Sequence, residues 1–339
     1  MGARVAVAGA SGYGGGELLR LLSAHPEVEL ASLAAGSNAG RPVTDVHPHL
    51  RSFAGRSFDG TDAALLADAD AVLLSLPHGQ SAALAGRLPD GLPVLDLGAD
   101  FRLADAAAWQ RFYGGEHAGT WAYGLPELPG QRERLTGATR VALPGCYATT
   151  VLLALAPLVA AGLVDASDLV VVAASGVSGA GRTGGGGPGA ADTMGDVSAY
   201  KPGAHQHAPE IAQALEPLAP GAVGLSLTPL LVPMARGLLA TCTARTDADT
   251  ASLRQALQQA YAVEPLVHVL APGEWPHTAA TLGSGSAHVQ VTRGEGGRAV
   301  AVAALDNLGK GASAQAVQVL NLLLGIPETT GVPVDGVAP

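Results

Sequence analysis

Short apolar runs alternate with helical patterns along the first hundred residues of this 339-residue chain. The runs that predict buried strands span 4–8, 28–34, 70–76 and 92–97, and leucine and alanine spacings predict helices at 14–24 and 81–87. Strands that alternate with helices form parallel sheets covered on both faces. The pattern therefore predicts an α/β fold that begins with a doubly wound, Rossmann-type parallel sheet.

The pattern changes near Pro144. The next 17-residue apolar run, 148–164, predicts a long buried helix, since a membrane span needs about 20 apolar residues. Strand runs then follow one another without intervening helices, which predicts an α+β unit with a mixed or antiparallel sheet. They span 168–174, 223–231, 238–244, 267–270, 287–292 and 299–305. A last helical pattern, 312–324, is expected to pack back on the first sheet, so we place one domain at 1–146 with 311–339 and a second at 147–310.

Composition narrows the class of protein. Hydrophobic residues make up 48% of the chain and charged residues 14%, which allows a large core. The net charge is −10 and only Lys201 and Lys310 are lysines, so we expect neither nucleic acid nor a membrane surface as a partner. Two cysteines give no disulfide framework, and the N-terminus lacks a signal-peptide pattern. We therefore expect a cytoplasmic protein.

A glycine-rich turn follows the first strand. Gly9, Gly12 and Gly15 are spaced for a tight turn, a close backbone approach and helix packing, and the helix N-terminus would face a pyrophosphate. The second strand ends without the carboxylate that usually holds the ribose of NAD, and Ser37, Asn38 and Arg41 follow it. These groups suit a 2′-phosphate, which favours NADP, although a solvated loop is the alternative.

The two thiols differ in their surroundings. Cys146 directly precedes the long apolar run, where the positive end of a helix dipole is expected to lower the pKa of the thiol and make it a nucleophile. Cys242 alternates with Thr241 and Thr243, as a packed strand residue does, so we expect it to be buried and inert.

Other chemistry-bearing side chains stand near turns. His205 and His207 offer two imidazoles, one of which would serve Cys146 as acid or base. A metal site would need Glu210 or the pair of histidines at 47 and 49, but no third ligand has a familiar spacing, so we expect no metal. Arg102 and Arg182 are candidates for an anionic substrate group, with ordinary salt bridges as the alternative. The glycine-dense segment 179–190 predicts either a surface loop or an active-site loop.

Eight short motifs, taken together and in order, point to one protein family. They are GASGYGGGEL at 9–18, LPHG at 76–79, DLGADFRL at 96–103, YGLPE at 123–127, PGCYAT at 144–149, SGVSGAGR at 175–182, HQHAPE at 205–210 and DNLGKGA at 306–312. With these motifs in this order, the chain resembles the N-acetyl-gamma-glutamyl-phosphate reductase family of arginine biosynthesis, within the wider aspartate-semialdehyde dehydrogenase-like group. One departure adjoins the cysteine, since Leu143 stands where the family usually has asparagine.

The resemblance implies roles for individual residues. Cys146 would be the nucleophile and His205 the acid/base. Substrate contacts would come from Arg102, Arg182, Tyr200, His207 and Glu210. Contacts to NADP(H) would come from Gly9, Ser11, Gly12, Tyr13, Gly14, Gly15, Ser37, Arg41, Leu76, Pro77, His78, Gly79, Ser178, Gly179, Asn307, Lys310 and Gly311.

The implied function is the NADPH-dependent reduction of N-acetyl-glutamyl 5-phosphate to N-acetyl-glutamate 5-semialdehyde through a cysteine thioester. The first domain would bind NADP, and the second would carry catalysis and the contacts of a homo-oligomer, a dimer or a tetramer. One alternative is a reductase of carrier-bound aminoadipyl or glutamyl phosphate in lysine or arginine biosynthesis, which a chain at −10 disfavours because the carrier is acidic. The other is a non-catalytic NADP-binding protein, which has no need of a thiol at a helix start.

Overall fold

The computed structural model describes residues 2–182 and 193–337. The prediction for the glycine-dense segment 179–190 can be followed only as far as Arg182, because the rest of it lies outside the described residues.

The first sheet has six strands, in the order β2-β1-β3-β4-β6-β5, and every neighbouring pair is parallel. The strands are β1 (Ala3–Ala8), β2 (Val28–Ala34), β3 (Ala71–Leu74), β4 (Val94–Asp96), β5 (Ala122–Tyr123) and β6 (Arg140–Ala142). The predicted parallel sheet is confirmed. The pattern missed β5 and β6, which are only two and three residues long and give too little alternation to read.

Helices cover both faces of this sheet. They are α1 (Tyr13–Leu22), α2 (Val43–Val46), α3 (Ala63–Ala67), α4 (Gln80–Ala85), α5 (Ala106–Phe112) and α6 (Gln131–Leu135). Val5 and Val7 of β1 face a core cluster that includes α1, whereas Ala6 and Ala8 face a second cluster with α4. The alternation along β1 therefore places apolar side chains on both faces, as a doubly wound sheet requires.

The second sheet has seven strands, in the order β11-β12-β13-β10-β7-β9-β8, and mixes parallel with antiparallel pairs. The strands are β7 (Leu169–Ser175), β8 (Ser198–Ala199), β9 (Leu225–Leu231), β10 (Leu238–Arg245), β11 (Val267–Val269), β12 (Ala287–Arg293) and β13 (Arg298–Leu305). The predicted mixed sheet is confirmed.

Three helices pack with the second sheet, namely α7 (Cys146–Ala160), α8 (His207–Leu215) and α9 (Thr250–Ala260). The expectation of strands without intervening helices is wrong, because α8 and α9 lie between them. Asp249 caps α9 by accepting from the Ser252 amide, and Leu253 and Leu257 form its buried face. That cap and leucine spacing were visible in the sequence, but the polar residues between them obscured the pattern.

The chain ends with α10 (Ala314–Leu324), which follows a π-helical turn at Gly309–Ser313. Val317 and Leu320 of α10 lie in the same core cluster as Val5 and Leu18, so this helix does pack back on the first sheet. The turn before it brings residues 309–313 between α1 and the start of α7. Among the described residues, no helix combines the length and apolar character that crossing a membrane requires.

Candidate active site

A cleft of about 550 Å³ lies between the glycine turn of the first sheet and the start of α7. Its lining includes Tyr13, Gly14, Cys146, Ser178, His205 and His207. The fold therefore brings the predicted nucleophile, both imidazoles and the first turn of α1 to one cavity. These residues lie far apart in the chain, and each stands at the end of a helix, strand or loop that the two sheets position.

Cys146 is the first residue of α7 and is partly exposed to the cleft. Burial raises the pKa of its thiol to about 11, although the backbone amides at the helix start and the Arg102 guanidinium act in the opposite direction. The expectation that the helix dipole leaves this thiol with a low pKa is therefore wrong, because desolvation of the thiolate outweighs the dipole. Gly311 packs closely on the cysteine, since a Cβ at that glycine would lie 2.8 Å from the Cys146 Cβ.

Cys242 lies in the middle of β10 and is fully buried in the core cluster of the second sheet. Burial also raises the pKa of this thiol far above its ordinary value. The prediction of a buried packing residue is confirmed.

The two histidines are held differently. His205 Nδ1 accepts the backbone N–H of His207 at 3.1 Å, so the ring proton of neutral His205 belongs on Nε2. Burial lowers the pKa of His205 to about 4 and holds the pKa of His207 well below its ordinary value. His207 packs on Gly145, where a Cβ would lie 2.4 Å from its ring, and its buried Nδ1 has no hydrogen-bond partner. Both imidazoles are therefore neutral near pH 7.

Two tyrosines complete this part of the cleft. The Tyr200 hydroxyl donates to the Tyr147 hydroxyl at 2.6 Å, and the Tyr147 ring contacts His205 edge-on and His207 in a tilted arrangement. Burial raises the pKa of both phenols, so they stay protonated. The prediction included Tyr200 but not Tyr147, although its position directly after Cys146 was a usable signal.

Arg102 and Glu210 were both expected to contact substrate, but only Arg102 lines the cleft. Its Nε and Nη2 donate to the carbonyls of Leu143 and Leu97, each at 2.7 Å. Glu210 lies behind the loop that precedes Cys146, where its Oε1 accepts from the Gly145 amide. The expectation for Glu210 is therefore corrected, because its carboxylate holds the protein backbone.

The glycine turn has the cradle that a dinucleotide needs. Gly9 has φ +84°, and a Cβ there would lie 2.1 Å from the Ser75 carbonyl oxygen. At Gly15 a Cβ would lie 2.2 Å from the Gly9 carbonyl oxygen, so neither position admits a side chain. At the end of β2, Asn38 donates to the Ser11 hydroxyl and accepts from Arg41. The Asp59 carboxylate beside this strand end accepts from Ser32 and the Leu33 amide, so the hydroxyl, amide and guanidinium groups of 37–41 are the ones that fit a phosphorylated ribose.

Arg182 lies against this glycine turn and not in the cleft of Cys146. Its Nε donates to the Ser11 carbonyl at 3.0 Å, its guanidinium lies 4.7 Å from the centre of the Tyr13 ring, and its Nη2 donates to His47 Nδ1 at 3.1 Å. It lines a neighbouring cleft of about 370 Å³. The expectation of a substrate contact is corrected, because its donors are engaged beside the cofactor turn.

Lys310 is fully buried, and its Nζ contacts Glu127 Oε1 at 2.5 Å and Gln318 Oε1 at 2.6 Å. Its ammonium is therefore engaged inside the protein and does not line the cleft, so a cofactor contact of Lys310 stays a prediction. The neighbouring Asn307 does line the cleft, and its Nδ2 donates to the Ser178 hydroxyl at 3.0 Å.

The other residues expected to contact cofactor divide into two groups. Those that line the cleft of Cys146 are Tyr13, Gly14, His78, Ser178, Gly179, Asn307 and Gly311. Those that lie outside its lining, in the glycine turn, after β2 or in the loop after β3, are Gly9, Ser11, Gly12, Gly15, Ser37, Arg41, Leu76, Pro77 and Gly79. Across 2–182 and 193–337, no group of three or more His, Cys, Asp and Glu side chains could hold a metal ion.

Known proteins were then compared with the chain. Two family models match it, described as semialdehyde dehydrogenase, NAD binding domain, over residues 4–138, and semialdehyde dehydrogenase, dimerisation domain, over residues 146–307. Proteins named N-acetyl-gamma-glutamyl-phosphate reductase from Frankia casuarinae and Acidothermus cellulolyticus are each 59% identical to it, over 100% of both chains.

Solved structures with the same fold include aspartate semialdehyde dehydrogenase II of Vibrio cholerae complexed with ASA. It has a TM-score of 0.71 at 18% identity and covers 96% of this chain and 99% of its own. The aspartate semialdehyde dehydrogenase of Candida albicans with NADP also has a TM-score of 0.71, at 16% identity, over 95% of this chain and 100% of its own. At these identities the likeness shows the two-sheet fold.

Proposed function

The chain belongs to the N-acetyl-gamma-glutamyl-phosphate reductase family of semialdehyde dehydrogenases, and we propose that it reduces N-acetyl-glutamyl 5-phosphate to N-acetyl-glutamate 5-semialdehyde with NADPH, in arginine biosynthesis. One observation carries the proposal. The cleft that contains the thiol of Cys146 and the imidazoles of His205 and His207 also contains Tyr13 and Gly14 at the start of α1.

Cys146 opens the reaction. Its sulfur attacks the acyl carbon of the acyl phosphate, a C–S bond forms, and the C–O bond to phosphate breaks, which leaves a thioester on the protein. The proton of the thiol must leave as the C–S bond forms, because burial keeps the free thiol protonated. The departing phosphate takes that proton away, directly or through a neutral imidazole of the cleft.

His205 serves the second half of the reaction. The chemistry that a reduced nicotinamide supplies when bound is a hydride for the acyl carbon of the thioester. As negative charge then builds on the carbonyl oxygen, the Nε2–H of neutral His205 donates a hydrogen bond to it, since Nδ1 is occupied by the His207 amide. The thiohemiacetal oxyanion on Cys146 then collapses, the C–S bond breaks, the aldehyde is released, and His205 passes one proton from water to the departing sulfur, which restores the thiol.

The cofactor preference follows from the end of β2. Ser37 and Arg41, with Asn38 bonded to Ser11, offer neutral and cationic groups where NAD-specific sites hold a carboxylate, so we assign NADP. Residues 1–146 with 311–339 would form the cofactor domain and residues 147–310 the catalytic domain.

We further propose a homo-oligomer, a dimer or a tetramer. Its contacts would form through the outer face of the second sheet, where Val170 and Val172 of β7 are exposed. A matching description as a dimerisation domain covers residues 146–307. A cytoplasmic location stays a prediction.

The test runs the reaction in reverse. Purified protein is mixed with NADP, inorganic phosphate and either N-acetyl-glutamate semialdehyde or the aminoadipate analogue, and NADPH formation is followed. The proposal expects turnover with the N-acetyl-glutamate compound at a kcat/KM at least about 10²-fold above that for the analogue, since one extra methylene changes pocket affinity by about 10–200-fold. A preference for the analogue would support the carrier-dependent alternative, and no turnover with either would support a non-catalytic NADP-binding protein.

A further inference from the structure

A buried ion pair, Arg102 with Glu210, holds the loop that precedes Cys146, the proposed nucleophile. Arg102 Nε donates to the Leu143 carbonyl at 2.7 Å, and Glu210 Oε1 accepts the Gly145 amide at 2.9 Å. The side chains of Arg102 and Glu210 are only 5% and 1% exposed. The pair therefore fixes the backbone on both sides of Pro144, at Leu143 and at Gly145, which directly precedes Cys146.

Glu210 also ties this loop to the imidazoles. It lies in the first turn of α8, the helix that begins at His207, and the His207 ring packs on Gly145. The Tyr123 hydroxyl donates to the same Glu210 oxygen at 2.7 Å. One carboxylate oxygen thus sets the position of Cys146 relative to the acid/base group.

Hydrogen bonding alone does not require a carboxylate at this position. Both bonds reach Oε1, and an amide oxygen would accept both equally well. The second oxygen, Oε2, is buried, has no hydrogen-bond partner among residues 2–182 and 193–337, and lies 3.6 Å from Arg102 Nη1. Because a buried carboxylate without full hydrogen bonding is costly, its charge must serve another purpose, and the facing charge is Arg102.

Few charges bear on the sulfur of Cys146. Tyr147, Tyr200, His205 and His207 surround it in the cleft, and all four are neutral near pH 7 because burial raises the pKa of the phenols and lowers that of the imidazoles. Lys201 also lines the cleft and donates to Gln206, whereas Asp96 and Asp100 act on Arg102 and His78 and accept from backbone amides. Tyr113 and Tyr123 lie beside Arg102 and Glu210. Arg102 and Glu210 therefore remain as the opposed charges beside the thiol.

We propose that Glu210 is a positioning residue with two effects: its Oε1 fixes the Gly145 backbone before Cys146, and its charge opposes that of the buried Arg102 behind the cleft. The Coulomb directions agree, since Arg102 lowers the pKa of Cys146 and Glu210 raises it. The turnover readout rests on the proposed function, whereas the thiol readout needs neither substrate nor cofactor.

Glu210→Gln tests the charge while it keeps the oxygen acceptor. Iodoacetamide alkylation of Cys146, located by peptide mass spectrometry, is expected to be about tenfold faster at pH 7, because one unit of thiol pKa changes the thiolate fraction about tenfold. Turnover is expected to fall about tenfold, because an unopposed Arg102 pulls on the Leu143 carbonyl. Tyr123→Phe removes a hydrogen bond but no charge, and its alkylation profile should match wild type. Wild-type alkylation of Glu210→Gln at every pH would overturn the proposal.

Arg102→Gln removes the positive charge instead of the negative one, so the opposite change in alkylation rate is expected. It also tests the proposal if Glu210→Gln does not fold. Removal of the positive charge should slow alkylation about tenfold at pH 7. The double variant Arg102→Gln/Glu210→Gln should return to the wild-type profile, because both charges are gone. A purely structural role predicts that each variant disturbs alkylation in the same direction, and that result would also overturn the proposal.

Discussion

The start of α7 and the middle of β10 each contain a free thiol, and burial raises the pKa of both. Cys242 pairs in register with Val171 and Ala301, inside an apolar core. Cys146 follows a glycine, lines a cleft with two neutral imidazoles, and lies beside a buried arginine and glutamate. Neither burial nor a low resting pKa therefore separates the two thiols. The polar groups around Cys146, which could move its proton, are what favour it as the proposed nucleophile.

Replacement of each thiol by serine gives the largest expected contrast. Cys146→Ser should reduce kcat of the phosphate-dependent oxidation of N-acetyl-glutamate semialdehyde by about 10⁴-fold, because a hydroxyl of high pKa is a poor nucleophile and no thioester forms. Cys242→Ser should stay within about threefold of wild type, because Cys242 is fully buried in β10 and is not among the residues that line the cleft. Equal loss of activity in two folded variants would erase the distinction between the thiols.

Thiol reactivity should depend steeply on pH. With the pKa of Cys146 at about 11, the thiolate fraction and the alkylation rate should rise about tenfold per pH unit from pH 7 to 10. The low pKa of His205 means that no histidine-paired thiolate forms at neutral pH. Alkylation rates at fixed iodoacetamide measure this, and a plateau below pH 8 would show a thiolate already stabilised in the free protein.

Replacement of His205, the proposed proton donor, should give the next largest loss of activity. His205→Asn is expected to lower kcat about 10²-fold or more with a smaller change in KM, because general acid catalysis contributes about 10²–10⁴-fold. His268→Asn is the matched control, since His268 lies on β11 and its Nε2 contacts Ser286. It should stay within about twofold of wild type. Comparable losses of kcat in the two variants would mean that His205 has no specific part in the reaction.

The sequence predicted the parts of the fold whose pattern is local. The strand runs and the glycine turn with its helix follow directly from apolar spacing, and β2 has the predicted bounds, Val28–Ala34. Helix α9 was missed because its polar residues hid the Leu253 and Leu257 face. The two-residue strand β5 was missed because so short an element has no period.

Within the site, residue type predicted which residues line the cleft better than it predicted what each of them does. Cys146 and His205 lie where expected, but Arg182 and Lys310 have their donors engaged elsewhere. Glu210 holds Gly145, 65 residues away, and no local spacing encodes such a contact. The high pKa of Cys146 was also hidden, because helix position is readable from sequence and desolvation is not.

A methyl group added against the start of α7 should lower kcat more than a methyl group added at a glycine in open space. Gly311→Ala places a Cβ 2.8 Å from the Cys146 Cβ and should lower kcat by about tenfold or more, since overpacking costs about 1–3 kcal/mol. Gly221→Ala is the control, because nothing lies within 4 Å of its Cβ position. Similar kcat values for these two folded variants would mean that Gly311 does not shape the position of the nucleophile.

The smallest expected effect is on stability alone. Cys242→Ser places a hydroxyl in an apolar core and should cost about 1–3 kcal/mol of unfolding free energy. Urea unfolding measures the cost. An unchanged midpoint would mean that the core around β10 tolerates a polar atom, and that burial there is less complete than the structure shows.

Trapping of the acyl-enzyme tests the central claim most directly. The protein is mixed with N-acetyl-glutamyl 5-phosphate without NADPH, released phosphate is counted, and the acylated peptide is sequenced by mass spectrometry. The account predicts a burst of about one phosphate per chain and an acyl group on Cys146. Acylation of Cys242, or reduction of the acyl phosphate by a protein that never carries an acyl group on Cys146, would contradict it.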